Sequence, residues 1–119
     1  MYALDVIKKT ALAKKLGGPP IFHDGLLCEI RLKPNHMVMI IDILSASNPL
    51  LKNDTRVSLN MRNIKSYRLE SDSVGKYLTV IHDLDIRKQD GLLRLLLETT
   101  QGDINEVLFE SIELTDSPT

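Results

Sequence analysis

Apolar positions recur along this chain with two different spacings, and the spacing changes at Gly17-Gly18. Before that point, in ALDVIKKTALAKKL (residues 3–16), Leu4, Ile7, Ala11 and Leu12 share one stripe of a helical projection while Lys8, Lys14 and Lys15 lie elsewhere. The pattern predicts one amphipathic helix. Lysines in its last turn suit the helix dipole, and Gly-Gly-Pro-Pro supplies the stop. After it the period becomes two. In residues 26–33 (LLCEIRLK) Cys28, Ile30 and Leu32 alternate with Glu29, Arg31 and Lys33, and Pro34-Asn35 marks a turn.

The remaining strands follow by the same reasoning. Residues 37–46 are apolar at both parities, as in a strand covered on both faces. Residues 55–62 place Val57, Leu59 and Met61 against Arg56, Ser58, Asn60 and Arg62, which is a half-exposed strand. Residues 64–70, 77–87, 92–99 and 105–114 complete the set, with turns at Gln89-Asp90-Gly91 and Gln101-Gly102-Asp103. The expected fold is α+β: one N-terminal amphipathic helix, then about seven mostly antiparallel strands in a curved sheet or sandwich. A single domain spans 1–119, with the helix at 3–16, the β region at 26–114 and a flexible tail at 115–119. No internal repeat is visible.

Composition narrows the classes. The 119 residues are 43% hydrophobic and 26% charged, which is ordinary for a globular chain and unlike a disordered one. A single cysteine, Cys28, excludes an internal disulfide and a cysteine-cluster zinc site, and its place on an alternating apolar face is that of an inert thiol. The longest purely apolar run, Met37 to Ile41, is far short of the roughly 20 residues that a membrane helix needs. Ala11-Leu12-Ala13 has the form of a leader-cleavage site, but Lys8 and Lys9 fall where an apolar core should be. A cytoplasmic location is expected.

Charge is unevenly spread. Residues 1–68 hold 11 Lys/Arg and 5 Asp/Glu, whereas residues 69–119 hold 4 and 11. From Glu98 onward there is no Lys or Arg. If folding leaves these charges apart, Glu98, Asp103, Glu106, Glu110 and Glu113 form an acidic surface suited to a basic partner and hostile to nucleic acid. A basic strip of Arg56, Arg62, Lys65 and Arg68 lacks the interleaved aromatics that stack on bases.

Two His-Asp dipeptides, His23-Asp24 and His82-Asp83, are the residues best suited to metal or acid–base chemistry. Neighbours on a strand point to opposite faces, so His82 and Asp83 do not readily converge on one ion. For His23-Asp24 the preferred reading is structural: Phe22 docks into the core, His23 bonds a carbonyl or carboxylate, and the trio Phe22, His23 and Asp24 forms the corner that starts the sheet. No nucleophile elbow and no glycine-rich phosphate loop is found.

The segment Pro20-Ile21-Phe22-His23-Asp24 leading into Leu27, Ile30 and Leu32 resembles the start of a family of small bacterial immunity proteins from polymorphic toxin systems. The later rhythm of Met61, Ile64, Tyr67, Leu69, Val80-Ile81, Leu84 and Ile86 is similar to theirs as well. The resemblance implies a non-enzymatic protein that binds and neutralises a cognate toxin. The acidic carboxy-terminal half adds that such a toxin would be basic, as a nuclease is. No catalytic residue, metal, cofactor, nucleic-acid partner or membrane partner is expected. Two alternatives stand beside this: a small metal-dependent hydrolase using both His-Asp pairs, and a scaffold domain that self-associates through a strand edge.

Overall fold

The computed structural model describes residues 21–48, 51–71 and 79–116. Its strands are β1 (Leu26–Lys33), β2 (His36–Ile43), β3 (Thr55–Arg62), β4 (Ser66–Leu69), β5 (Thr79–Gln89), β6 (Leu92–Thr99), β7 (Ile104–Phe109) and β8 (Ser111–Asp116). All belong to one antiparallel sheet in the order β4-β7-β6-β5-β1-β2-β3-β8.

This overturns the α+β expectation. Among the described residues the fold is all-β, with eight strands instead of about seven, and the helix expected over 3–16 lies outside the described residues. The extra strand arises because 105–114 is not continuous: the chain bends at Glu110, while its apolar alternation runs on across the bend. The end of the β region also moves. Thr115 and Asp116, expected in a flexible tail, pair with Ser58 and Val57 as part of β8.

The same bend closes the sheet. β3 pairs with β8 and β4 with β7, so β3–β4 and β7–β8 run as one long antiparallel pair bent at Asn63–Lys65 and Glu110. Two backbone bonds carry the ladder through the corner: Lys65 N–H donates to Leu108 O at 2.7 Å, and Glu110 N–H donates to Arg62 O at 3.1 Å. On the far side β1 meets β5 through Leu26↔Val80 and Leu27↔Thr79. The outcome is a small barrel whose ribbons are β1, β2, β3–β4, β8–β7, β6 and β5. Closure removes most free edges, which in an open sheet invite pairing with other chains. Among the described residues β4 and β8 keep one neighbour each, and β1 beyond Leu27 and β5 beyond Val80 pair in strand ladders on one side only.

A repeat invisible in the sequence is plain in the topology. Exchanging β1–β4 with β5–β8 reproduces the same strand order, so the barrel has approximate two-fold symmetry about the β1·β5 junction. Each half opens with a hairpin turned through two residues, Pro34-Asn35 and Asp90-Gly91. Asn35, Asp90 and Gly91 take positive φ values of 60°, 50° and 79°, the backbone that tight hairpins demand. The sequence echo is limited to Glu29-Ile30-Arg31 and Asp85-Ile86-Arg87, each with its own acid–arginine pair.

The interior is filled by Met37, Met39, Ile41, Val57, Leu59, Met61, Leu95, Leu97, Val107 and Phe109, all fully buried. Side chains, not a ligand cavity, occupy a barrel of this size. In β1 the register shifts between Leu27 and Glu29, and in β5 between Ile81 and Asp83. Each bulge inserts one residue and reverses which parity faces inward. Leu27 and Ile30 therefore both turn to the core, and Cys28 leaves the apolar face on which simple alternation places it.

Two buried asparagines tie loops to the barrel. Asn105 Oδ1 accepts from Glu70 N–H (3.0 Å) and Ser71 N–H (3.1 Å), and its Nδ2 donates to Ser71 Oγ (2.8 Å). Asn48 Oδ1 accepts from Ile21 N–H (2.8 Å), and its Nδ2 donates to Ile21 O (3.0 Å) and Leu44 O (2.9 Å). No helix among the described residues is long and apolar enough to cross a membrane.

Candidate functional site

At the bent corner of the barrel, the hairpin turns and the two partly open strands leave concave surface. Asn63, at φ 57°, allows β3 to turn into β4. Its N–H donates to Asn35 O at 2.9 Å, and Asn35 Nδ2 returns a bond to Asn63 Oδ1 at 2.9 Å, which fastens the β1–β2 turn against the corner. Asn63 Nδ2 also donates to Glu110 Oε2 at 2.9 Å, while Lys65 Nζ lies 3.3 Å from Glu110 Oε1. The Asn63 bond, and after it Lys65, hold the Glu110 carboxyl below its ordinary value.

A groove of about 500 Å³ opens beside this clamp. Leu32, Lys33 and His36 of the β1–β2 hairpin form one wall, and Ile64, Lys65 and Tyr67 at the start of β4 form the other. Leu32 and Tyr67 are 51% and 54% exposed, unusually open for large apolar side chains. A second, smaller groove of about 310 Å³ lies at the symmetry-related place, between Leu92 and Leu93 after the β5–β6 turn and Glu110 and Ile112 at the start of β8. The Lys65–Glu110 pair joins one to the other. Sequence reasoning missed this site. Leu32, Ile64 and Tyr67 fit strand alternation, and only closure of the barrel shows that their strands end beside open space.

The two His-Asp dipeptides, 59 residues apart in sequence, do come together where β1 meets β5. Phe22 is buried at 4% exposure. Its carbonyl accepts from Gly25 N–H at 2.8 Å to close a turn through His23 and Asp24, with Asp24 at φ 65°. Asp24 N–H donates to Ile81 O at 2.9 Å, Gly25 O accepts from Ile81 N–H at 2.8 Å, and His23 Nδ1 bonds His82 O at 2.5 Å. This last bond assigns the ring proton to Nδ1. The two imidazoles meet edge to face at 5.7 Å between centroids. His23 Nε2 lies 3.5 Å from Asp24 Oδ1, with both side chains more than half exposed. Among the described residues no group of three or more His, Cys, Asp and Glu side chains is arranged to hold a metal ion. Phe22, His23 and Asp24 thus sit at the corner where the sheet begins, bonded mainly to backbone.

Cys28 reaches the outer face beside Arg56 and Asp42. Arg56 binds Asp42 with two bonds, of 2.8 and 3.1 Å, and its Nη2 lies 3.8 Å from Cys28 Sγ. The arginine bond holds Asp42 below the ordinary aspartate value. Desolvation, with Asp42 beside it, pushes the Cys28 thiol up, so at neutral pH it is protonated and a poor nucleophile.

The acids of the carboxy-terminal half meet the bases of the amino-terminal half across the corner. Glu110 is paired with Lys65 at 3.3 Å and Glu113 faces Arg62 at 3.9 Å, whereas Glu106 is bonded at 2.8 Å by Arg94 of its own half. Glu98 and Asp103, both half-buried, have no ionic partner among the described residues. Pairing β3–β4 with β7–β8 therefore sets bases of the first half beside acids of the second at Lys65–Glu110 and Arg62–Glu113.

No protein-family model and no curated protein matches the chain. Among solved structures it is similar to an uncharacterised protein from Neisseria gonorrhoeae, with 17% sequence identity and a TM-score of 0.57 over 83% of this chain and 95% of that one. At that identity the likeness concerns the fold alone.

Proposed function

We propose that the protein acts by contact, as an immunity protein that binds and neutralises a cognate bacterial toxin in the cytoplasm without catalysis. The observation that carries this reading is the groove at the barrel corner, where two of the three large apolar side chains that stand half exposed among the described residues, Leu32 and Tyr67, line one opening. Exposed apolar surface rimmed by polar groups is the usual mark of a protein-binding face. The opening motif, Pro20 to Asp24, adds the family resemblance. The titratable groups point the same way: His23 is engaged by a backbone carbonyl, and Cys28 is held in its thiol form.

The test is co-expression with the product of the neighbouring reading frame where that product arrests growth. The expected result is restored growth and a stoichiometric complex on size-exclusion chromatography. Continued arrest with no complex refutes the proposal.

A further inference from the structure

We propose that the groove beside β4 receives an extended acidic strand of a partner protein, added to the open edge of Ser66–Leu69. This deepens the contact-inhibitor reading and rests on it. Among the described residues β4 has β7 on one side and no strand on the other, which leaves its outer edge as the place where a further strand extends the sheet. The groove reaches the start of that strand, with Ser66 and Tyr67 in its lining. A strand laid there places alternate side chains over Leu32, Ile64 and Tyr67, which supply apolar contact, and the others toward Lys33 and His36.

Charge selects the occupant. The residues lining the groove include Lys33 and Lys65 and no acid. Glu110 engages Lys65 from the corner side, whereas Lys33 has no ionic partner among the described residues. A carboxylate answers Lys33. A second copy of this chain offers less: the one acid beside β4, Glu70, is already engaged by Arg68 at 3.5 Å and by Ile104 N–H at 2.8 Å. The chain's own first 20 residues offer less as well, since they carry Lys8, Lys9, Lys14 and Lys15 against one acid, Asp5.

The experiment uses the full chain and two blocked, labelled peptides of about eight residues, one alternating Val with Glu and one alternating Val with Lys. The expected result is saturable binding of the glutamate peptide only, with amide NMR shifts concentrated at Ser66–Leu69. Lys33→Glu should weaken that binding about tenfold, the scale of reversing one partly exposed charge. Tyr67→Ala, at an exposed position, should weaken it without loss of fold. Equal binding of both peptides, binding of neither at millimolar concentration, or shifts confined to β8 or the His23 corner overturns the proposal. So does a dimer of the free protein that Tyr67→Ala dissolves. The co-expression assay separates the two ideas. Protection by the parent chain and equally by Lys33→Glu removes the groove but keeps the contact inhibitor. Failure of protection with selective peptide binding removes the inhibitor but keeps the groove.

Discussion

Asn105 is the polar residue on which the barrel's closure leans most, and replacing it with alanine gives a calculable loss. Its side chain is fully buried, accepts from Glu70 and Ser71 N–H and donates to Ser71 Oγ. A buried donor deprived of its acceptor costs about 1–3 kcal/mol, and a lost neutral hydrogen bond about 1 kcal/mol. Glu70 is exposed, so water can take over its N–H; Ser71 is only 8% exposed, so its N–H stays dry. The expected cost of Asn105→Ala is therefore about 2–4 kcal/mol, a large part of the roughly 5–15 kcal/mol that holds a domain of this size together. With a urea slope of about 1–2 kcal/mol/M, the midpoint falls by roughly 1–4 M. Urea unfolding followed by circular dichroism reads it directly. Ser71→Ala, which leaves both backbone amides satisfied and Asn105 Nδ2 with Leu97 O at 3.5 Å, should cost about 1 kcal/mol. A midpoint drop under about 0.5 M for Asn105→Ala, at unchanged slope, refutes the view that this side chain anchors the segment leaving β4.

Three further outcomes are expected. Gly25→Ala places its Cβ 2.8 Å from both Asp42 O and Phe22 O, backbone atoms that cannot step aside, so a loss of about 1–3 kcal/mol or failure to fold should appear in thermal melts; a melt like the parent's would show that the corner can shift. Asp42 titrates low in the folded state because of Arg56, so its contribution is present above the ordinary aspartate value and is lost as pH falls below about 4. Arg56→Met should flatten that acid limb in unfolding measured against pH, and an unchanged limb counts against the pair. Cys28, with its thiol pushed up, should react with iodoacetamide at neutral pH more slowly than free cysteine; faster labelling contradicts the environment described for it.

Much of the strand inventory was legible because period-two alternation is a local property. Strands 26–33, 55–62 and 92–99 run between the residues their apolar spacing marks. Ends were harder. The run expected over 37–46 stops at Ile43, because Ser45–Asn48 form a turn held by Asn48 and Asp54. Parity failed at Cys28 and His82, where a bulge adds a residue that no composition rule announces. His23 and His82 were each conspicuous in the sequence, but their meeting depends on the β1·β5 pairing.

The chain's local chemistry determined where it turns and which residues seek the interior. Pro34-Asn35 and Asp90-Gly91 supply the backbone that hairpins need, and Val57, Leu59 and Met61 mark the one face of their strand that must leave water. Tertiary structure alone decided that the sheet closes, that its halves are related by a two-fold, and that basic β3–β4 lies against acidic β7–β8. Those are statements about pairing between distant strands, and alternation says only that a strand has an inner face, not which strand lies beside it. The groove is set at the same level: Leu32 and Tyr67 carry core-like side chains, and they stand in the open because β1 pairs with β5 only at Leu26 and Leu27 and β4 pairs with β7 alone among the described strands.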